Sequence, residues 1–364
     1  MNAKVIVRKF LRHCHLWIAL TTGLFVITLS VTGALLIYAK DIQGEINPHY
    51  WTVPTRSATM NVDTLIERAE AVKGSPVAAI SLEPDRENWA WQFRFQDGEY
   101  ASVNPYTGSV LLTYAFEDQL YGFLMATHRW LLLRDDGGAT PLRDWVSVIA
   151  VLLMFEVLVG FVLWVMPKKR LKRLTVRFSA KAKIVIYQLH TVAGVMLFVP
   201  LLLISFSGIA FNWKVPTTAV VNTLSPGTIA PRPAPPLIDS GTKPNIDRAV
   251  KNGLQALPQA ELFRIYLPAT PTEPVGLRVK MPQESHAYSW IWSDPYTGDT
   301  LPVYDASQTS VATQVWNFKY KFHIGDFAGP VVQVVWLLIA LSPVFFLISG
   351  VYCWAKRESG RKKK

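Results

Sequence analysis

Four long apolar runs constrain the fold of this chain more than any other feature of its sequence. They cover residues 18–38, 144–166, 184–213 and 331–354. Three of them are close to the ~20 residues that a helix needs to cross a bilayer, whereas 184–213 is longer and could extend beyond one interface. All four are too long for an ordinary strand. Because half of the chain is apolar and only 17% is charged, the runs predict an α-helical membrane protein built on a bundle of four transmembrane helices.

Basic residues precede the first run, as they would in a cleaved signal peptide. The run at 18–38 is longer than a typical signal-peptide core, and no small-x-small cleavage site follows it. We therefore expect an uncleaved helix, with a signal peptide as the alternative.

The placement of lysine and arginine predicts how the chain is oriented. Segments 1–14, 167–189 and 355–364 carry eighteen of the 37 basic residues and one acidic residue. Since cytoplasmic loops are enriched in Lys and Arg, both termini and the middle loop are expected in the cytoplasm, and the two long loops on the other side. A nucleic-acid partner would not explain why the basic residues flank the apolar runs. The predicted cytoplasmic segments are 1–17, 167–183 and 355–364.

The sequence also contains an internal duplication, in which five features recur in the same order. They are Gly33 and Gly208, segments 61–63 and 245–247, turns 104–108 and 294–298, His128 and His323, and Gly160-x-x-x-Trp164 and Gly350-x-x-x-Trp354. Each half crosses the membrane twice, so the halves are expected to be parallel repeats about an axis along the membrane normal.

Each half is predicted to carry a small α+β domain between its two spans, at 39–143 and at 214–330. In the first of them, residues 62–73 have the pattern of an amphipathic helix with Asp63 near its start. Alternation of apolar and polar residues predicts strands at 89–95, 100–103 and 109–114.

Four of the seven histidines occupy repeat-matched positions. His15 and His190 lie at the predicted cytoplasmic ends of the first and third spans. His128 and His323 lie on the outer side, ahead of the second and fourth spans. Two histidines at each face is the number that two six-coordinate haems require, so these four are candidate ligands of haem iron.

Glycines accompany the histidines at a helical spacing. Gly33 follows His15 by 18 residues, which is five helical turns, so the two share a helix face about 27 Å apart. Gly208 follows His190 by the same step. A glycine on the ligand face leaves room for a flat macrocycle. The glycines expected to line the two haem sites are Gly33, Gly208, Gly160 and Gly350.

Plainer explanations exist for the same residues. Glycine is common in membrane helices for packing alone, and an interfacial histidine often only forms hydrogen bonds. A zinc or non-haem iron site is another alternative, but it would need carboxylates or cysteines, and only Cys14 is near His15 in sequence. His13 competes with His15, yet its counterpart in the second half is Gln188.

Two charged residues are further candidates. Glu156 is the one acid in the interior of a predicted span, where an ionisable group is costly and suggests a proton or coupling role. A hydrogen-bonded structural residue is the alternative. Arg129 follows His128 and is a candidate partner for a haem propionate, although an interfacial arginine with no such role is equally compatible.

Several of these segments resemble one protein family. They are His15-Leu-Trp, Gly23-Leu-Phe, the paired Pro-Tyr-Thr-Gly turns, His128-Arg-Trp and the closing Gly350-Val-Tyr-Cys-Trp. Together they are similar to the PepSY-associated transmembrane helix proteins, which are bacterial inner-membrane proteins with periplasmic PepSY domains. The resemblance covers essentially the whole chain. It departs at Ala19, where many relatives carry glycine, and after His190, which is followed by Thr-Val rather than a basic-aromatic pair.

The family includes di-haem reductases of ferric siderophores, and the resemblance implies the same activity here. It implies an oxidoreductase with two haem b groups, one held by His15 and His190 and the other by His128 and His323. Electrons would leave to a ferric siderophore in the periplasm, and ferrous iron would be released. Because the chain has no Gly-rich nucleotide fingerprint, reduced flavin, a quinol or a partner reductase would supply the electrons. Tryptophans that either form the docking surface or pack in the core are Trp89, Trp91, Trp290 and Trp292.

Two other functions fit the sequence. One is a haem-free protein, either a binding or sensor protein or a permease-like component, in which PepSY-like domains hold a partner. The other is a reductase of a different acceptor, such as flavin.

Overall fold

The computed structural model describes residues 3–135 and 138–361. Its helices are α1 (Ala3–Leu36), α2 (Ala39–Ile46), α3 (Pro48–Trp51), α4 (Val62–Lys73), α5 (Leu120–Trp130), α6 (Arg143–Val165), α7 (Ala182–Met196), α8 (Phe198–Ile209), α9 (Lys214–Leu224), α10 (Ile246–Gln255), α11 (Val311–Ile324) and α12 (Pro330–Arg361). Its strands are β1 (Val77–Ser81), β2 (Trp91–Phe95), β3 (Tyr100–Val103), β4 (Val110–Tyr114), β5 (Glu261–Tyr266), β6 (Val275–Lys280), β7 (Ser289–Ser293) and β8 (Thr300–Tyr304).

The chain divides into two compact units. A helical unit comprises residues 1–38, 124–218 and 321–364, and a sheet unit comprises residues 39–123 and 219–320. The two halves of the duplicated sequence therefore contribute to both units. The segment boundaries that the sequence predicts stay predictions.

The helical unit corrects the expectation of a four-helix transmembrane bundle, which is wrong. Among the described residues, three helices are long and apolar enough to cross a membrane by themselves, namely α1, α6 and α12. The third predicted span is two helices, α7 and α8, bent by 60°. Pro200 explains the break, because it has no N–H to donate to the carbonyl of Met196 and fits only the first turn of a new helix. Within the unit, α1 packs against α6 and α12, while α6 contacts α8 and α12 contacts α7.

The sheet unit corrects a second part of the expected fold. In place of two separate α+β domains, it forms one eight-stranded antiparallel sheet in the order β4-β3-β2-β1-β5-β6-β7-β8. The halves join where β1 pairs with β5, with Ile80 opposite Ile265. The helix predicted at 62–73 is confirmed as α4, and the strand predicted at 100–103 is confirmed as β3. Helices α4 and α10 bury their apolar faces on a core that includes Leu65, Phe93, Ile265, Leu277 and Ile291.

Reciprocal caps also connect the two halves of the sheet unit. The carboxylate of Asp63 accepts the N–H groups of Ile246, at 2.9 Å, and Asp247, at 3.0 Å. Asp247 in turn accepts the N–H of Val62 at 3.2 Å. Backbone N–H groups at a helix N-terminus have no partner within the helix, so each of the two helices satisfies donors of the other. The matched segments 61–63 and 245–247 thus mark the interface between the halves.

The matched Pro-Tyr-Thr-Gly turns owe their sequence to backbone geometry. Asn104 Oδ1 accepts the N–H groups of the two residues after Pro105, and Asp294 does the same after Pro295. Each turn ends in a glycine with positive φ, +71° at Gly108 and +81° at Gly298. That conformation is costly for other residues.

Candidate functional site

The helical unit gathers the four repeat-matched histidines into two pairs. His15 on α1 faces His190 on α7, with ring centres 6.3 Å apart. His128 on α5 faces His323 on α11, with ring centres 6.2 Å apart. His15 and Gly33 lie 18 residues apart on α1, and Gly33 contacts His128. The two pairs are therefore separated by about 27 Å along that helix. We call them the inner pair and the outer pair.

The spacing within each pair is suited to one metal ion between two imidazoles. A metal–imidazole bond is about 2 Å long, so an ion bound by two opposed rings separates their centres by about 6 Å. Both pairs have this separation. A haem iron takes its other ligands from the porphyrin, so two histidines complete its coordination. The described residues contain no group of three or more His, Cys, Asp or Glu side chains placed to hold a metal ion, which a zinc or non-haem iron site would need.

Hydrogen bonds orient the rings of the inner pair. His15 Nδ1 lies 2.9 Å from Glu156 Oε1 and 3.2 Å from the Glu156 carbonyl oxygen. Because a carbonyl only accepts, Nδ1 carries the proton. His190 Nδ1 lies 2.7 Å from the hydroxyl of Ser349, which donates its own hydrogen to the Phe345 carbonyl and so accepts from the imidazole. In both rings Nε2 is left as the nitrogen with a free lone pair for a metal.

The outer pair is oriented in the same way. His128 Nδ1 lies 3.0 Å from the Leu29 carbonyl oxygen and 3.2 Å from the hydroxyl of Thr32. His323 has matching partners. Its Nδ1 lies 3.2 Å from the Ile204 carbonyl oxygen and 2.9 Å from the hydroxyl of Ser207.

Each of the four matched glycines lies against the Cε1 edge of one histidine. A Cβ atom would stand 2.9 Å from His128 at Gly33, 3.1 Å from His15 at Gly160, 3.3 Å from His323 at Gly208 and 3.6 Å from His190 at Gly350. The absence of side chains at these positions lets the histidine rings approach the helix backbones. The expectation that these glycines line two haem sites stays a prediction. Gly33 and Gly208 contact the outer pair, whereas Gly160 and Gly350 contact the inner pair.

A cavity of about 570 Å³ surrounds the inner pair. Its walls come from α1, α6, α7 and α12, and they are mostly apolar. Arg8 Nε and Arg173 Nη1 are buried atoms with no hydrogen-bond partner in the described part of the chain. Both arginines line the cavity, so a ligand with carboxylates beside an apolar plate, such as haem with its propionates, fits these walls. Other cationic side chains that line the cavity are Arg12, Lys183 and Arg357.

The remaining candidates are distributed over both units. In the helical unit, Arg129 follows His128 on α5, and its guanidinium lies 6.0 Å from the ring centre of Trp130. In the sheet unit, Trp89 and Trp292 are buried, and Trp290 stacks between Tyr266 and Trp292. Trp89, Trp290 and Trp292 therefore pack within the sheet unit, and Trp91 packs against its core.

Three of the residues that hold the rings were not predicted from the sequence, whereas Glu156 was a candidate in another role. These three, Thr32, Ser207 and Ser349, directly precede the glycines that contact the same histidines. A hydroxyl-bearing residue followed directly by glycine is therefore the sequence pattern at which a histidine of another helix packs and forms a hydrogen bond. At the fourth position the residue before Gly160 is Val159, and Glu156, one turn earlier on α6, takes the place of the hydroxyl.

Comparison with known families finds one match that spans nearly the whole chain. The PepSY-associated TM region matches residues 12–357. Comparison with curated proteins finds no match. The long apolar helices, several of which could cross a membrane, agree with that description. The chain belongs to the family of the PepSY-associated TM region.

Proposed function

We propose that this protein is an electron-transfer oxidoreductase of the bacterial inner membrane, which holds two haem b groups and reduces a ferric siderophore in the periplasm. The observation that carries the proposal is the pairing of four histidines into two sets with ring centres 6.2 and 6.3 Å apart. Nothing in ordinary helix packing requires two such pairs, each with both Nδ1 atoms engaged and both Nε2 atoms available.

The chain's own residues have distinct roles under this proposal. His15 and His190 would hold one iron, and His128 and His323 the other. When bound, haem supplies reversible one-electron transfer between ferric and ferrous iron. Because two side chains of this protein would hold each iron, the sites would favour electron transfer over binding of small ligands. Arg8 and Arg173 would pair with propionates at the inner site, and Arg129 is the candidate for that role at the outer site.

The direction of transfer follows from the distribution of charge. Basic residues flank the ends of the spans at which the inner pair lies, which supports a cytoplasmic position for that pair and for both termini. The outer pair then lies toward the periplasm, where the two long loops would present PepSY-like surfaces to the ferric siderophore. The absence of a Gly-rich nucleotide fingerprint in the sequence favours reduced flavin, a quinol or a partner reductase as the electron donor.

The proposal is tested first by a visible spectrum of protein purified from haem-replete cells. We expect sharp α and β bands after reduction with dithionite, and two haems per chain in a pyridine haemochrome assay. The reduced protein should then convert ferric chelates to ferrous iron, which a ferrous-specific trap detects. A colourless protein would overturn the proposal and favour a haem-free binding, sensor or permease-like role. A haem-loaded protein that reduces flavin but no ferric chelate would point to another acceptor.

A further inference from the structure

Three of the four candidate ligands are held by a hydroxyl group, and the fourth is held by a carboxylate. The hydroxyls of Thr32, Ser207 and Ser349 lie 2.7 to 3.2 Å from the Nδ1 atoms of their histidines. At His15 the side-chain acceptor is Glu156 Oε1, at 2.9 Å. The position that carries the hydroxyl in the other three cases is Val159 here, so the carboxylate replaces a neutral acceptor in an otherwise repeated arrangement.

Hydrogen bonding alone does not explain why this acceptor is acidic. The Glu156 carbonyl oxygen already lies 3.2 Å from His15 Nδ1, and a hydroxyl is sufficient at the other rings. The side chain of Glu156 is only 14% exposed, and Oε2 is buried without a hydrogen-bond partner in the described residues. A buried carboxylate with an unpaired oxygen is costly. What distinguishes it from the three hydroxyls is that, when ionised, it brings a negative charge to 2.9 Å from Nδ1 of His15.

We infer that Glu156 is a positioning residue that makes His15 the most electron-donating of the four ligands, so that the inner haem has a lower midpoint potential than the outer haem. The inference rests on the proposed haem function. A carboxylate that accepts the Nδ1 proton increases the basicity of a ligating imidazole, which stabilises the ferric state over the ferrous state. The resulting difference in potential makes transfer from the cytoplasmic side to the periplasmic side favourable.

The cationic side chains of the inner cavity act in the opposite direction. Five such side chains line the same cavity and would stabilise ferrous iron, namely Arg8, Arg12, Arg173, Lys183 and Arg357. Two of them are the proposed partners of propionates, whose negative charges offset theirs. Glu156 Oε1 is in direct contact with a ligand ring, so its effect on the iron is expected to dominate.

A redox titration of the purified, haem-loaded protein tests the inference. The single-ligand variants His15→Ala and His323→Ala identify which spectral component belongs to which pair. Glu156→Gln keeps an oxygen acceptor and removes the charge. We expect the midpoint potential of the inner haem to rise by at least about 59 mV. For a one-electron couple this is a tenfold change in the ratio of ferric to ferrous haem at a fixed applied potential. The midpoint potential of the outer haem should not change.

Two further variants keep the test decisive. The double variant Glu156→Gln, Val159→Ser gives His15 the hydroxyl-glycine arrangement of the other three rings. It should retain the inner haem, and the midpoint potential of that haem should stay raised. Ser207→Ala is the matched control at the outer pair and should leave the midpoint potential of the inner haem unchanged.

A midpoint potential of the inner haem that is unaltered in Glu156→Gln would overturn the inference while the haem proposal stands. Loss of the inner haem from both Glu156 variants would also overturn it, since Glu156 would then be needed to hold His15. Absence of haem from the unaltered protein would instead overturn the proposed function.

Discussion

The inner and outer histidine pairs have nearly the same geometry but different surroundings. Ring centres are 6.3 Å apart in one and 6.2 Å in the other, and each ring touches a glycine. In the described part of the chain the outer pair is held by hydroxyls and carbonyls, whereas the inner pair has Glu156 and a cavity lined by arginines. Because each pair takes one histidine from each half, the duplicated sequence preserves the spacing of the rings at both pairs although the polar groups around the two pairs differ.

The largest expected effect comes from removing one ligand of each pair. His15→Ala and His323→Ala should each lower the haem content from two per chain to one, because a haem that loses an axial histidine is no longer held at both faces. A pyridine haemochrome assay measures the content, and gel filtration in detergent checks that the fold is intact. If either substitution removed both haems from a folded protein, the pairs would not be independent sites.

The glycines offer a graded version of the same comparison. Alanine at Gly33, Gly160, Gly208 and Gly350 should reduce haem content in that order, because the added Cβ would stand 2.9, 3.1, 3.3 and 3.6 Å from a ligand ring. The last distance is ordinary van der Waals contact, so Gly350→Ala is the internal control.

Leucine at the outer glycines makes the test more severe. Gly33→Leu together with Gly208→Leu should empty the outer site and leave the inner spectrum in place, because both side chains would occupy the space of the ring edges. Full occupancy of both sites in this double variant would contradict the assigned role of the glycines.

A smaller effect is expected where the two halves of the sheet unit cap each other. Asp63 accepts two N–H groups of α10, whereas Asp247 accepts one of α4 and also pairs with Lys251 at 2.6 Å. Loss of such a cap costs about 1 kcal/mol. Asp63→Ala and Asp247→Ala should each lower the Tm followed by tryptophan fluorescence, with Asp63→Ala lowering it more. The exposed Asp85→Ala is the control, and a Tm equal to that of the control would refute the capping role.

The smallest effect separates two acidic residues, Glu156 in the helical unit and Glu284, which is buried in the sheet unit. Burial raises the pKa of Glu284 above its ordinary value of 4.5, against a hydrogen bond from the Met281 N–H. The folded state therefore holds this proton more tightly than the unfolded state, so stability falls as pH rises above 4.5. The Tm of Glu284→Gln minus that of the unaltered protein should increase with pH, while both haem potentials stay unchanged. A pH-independent difference would show that burial does not perturb this carboxyl.

Local patterns made part of the fold predictable. The amphipathic pattern of 62–73 identified α4 with its bounds, because an N-cap and a helical period are written in neighbouring residues. The third span was misjudged because hydropathy measures apolarity along the chain and does not report that Pro200 ends one helix and lies in the first turn of another. The single sheet was missed because the pairing of β1 with β5 joins segments that are far apart in sequence.

Length, apolarity and repetition can be read along the chain, so the duplication, the membrane-type helices and the recurring histidines and glycines were predictable. The facing of the histidines, the contact of each glycine with a ring and the position of Glu156 behind His15 required the folded structure, because these are contacts between different helices. The contact between Glu156 and His15 joins residues 141 positions apart, and its 2.9 Å distance depends on how α1 and α6 pack.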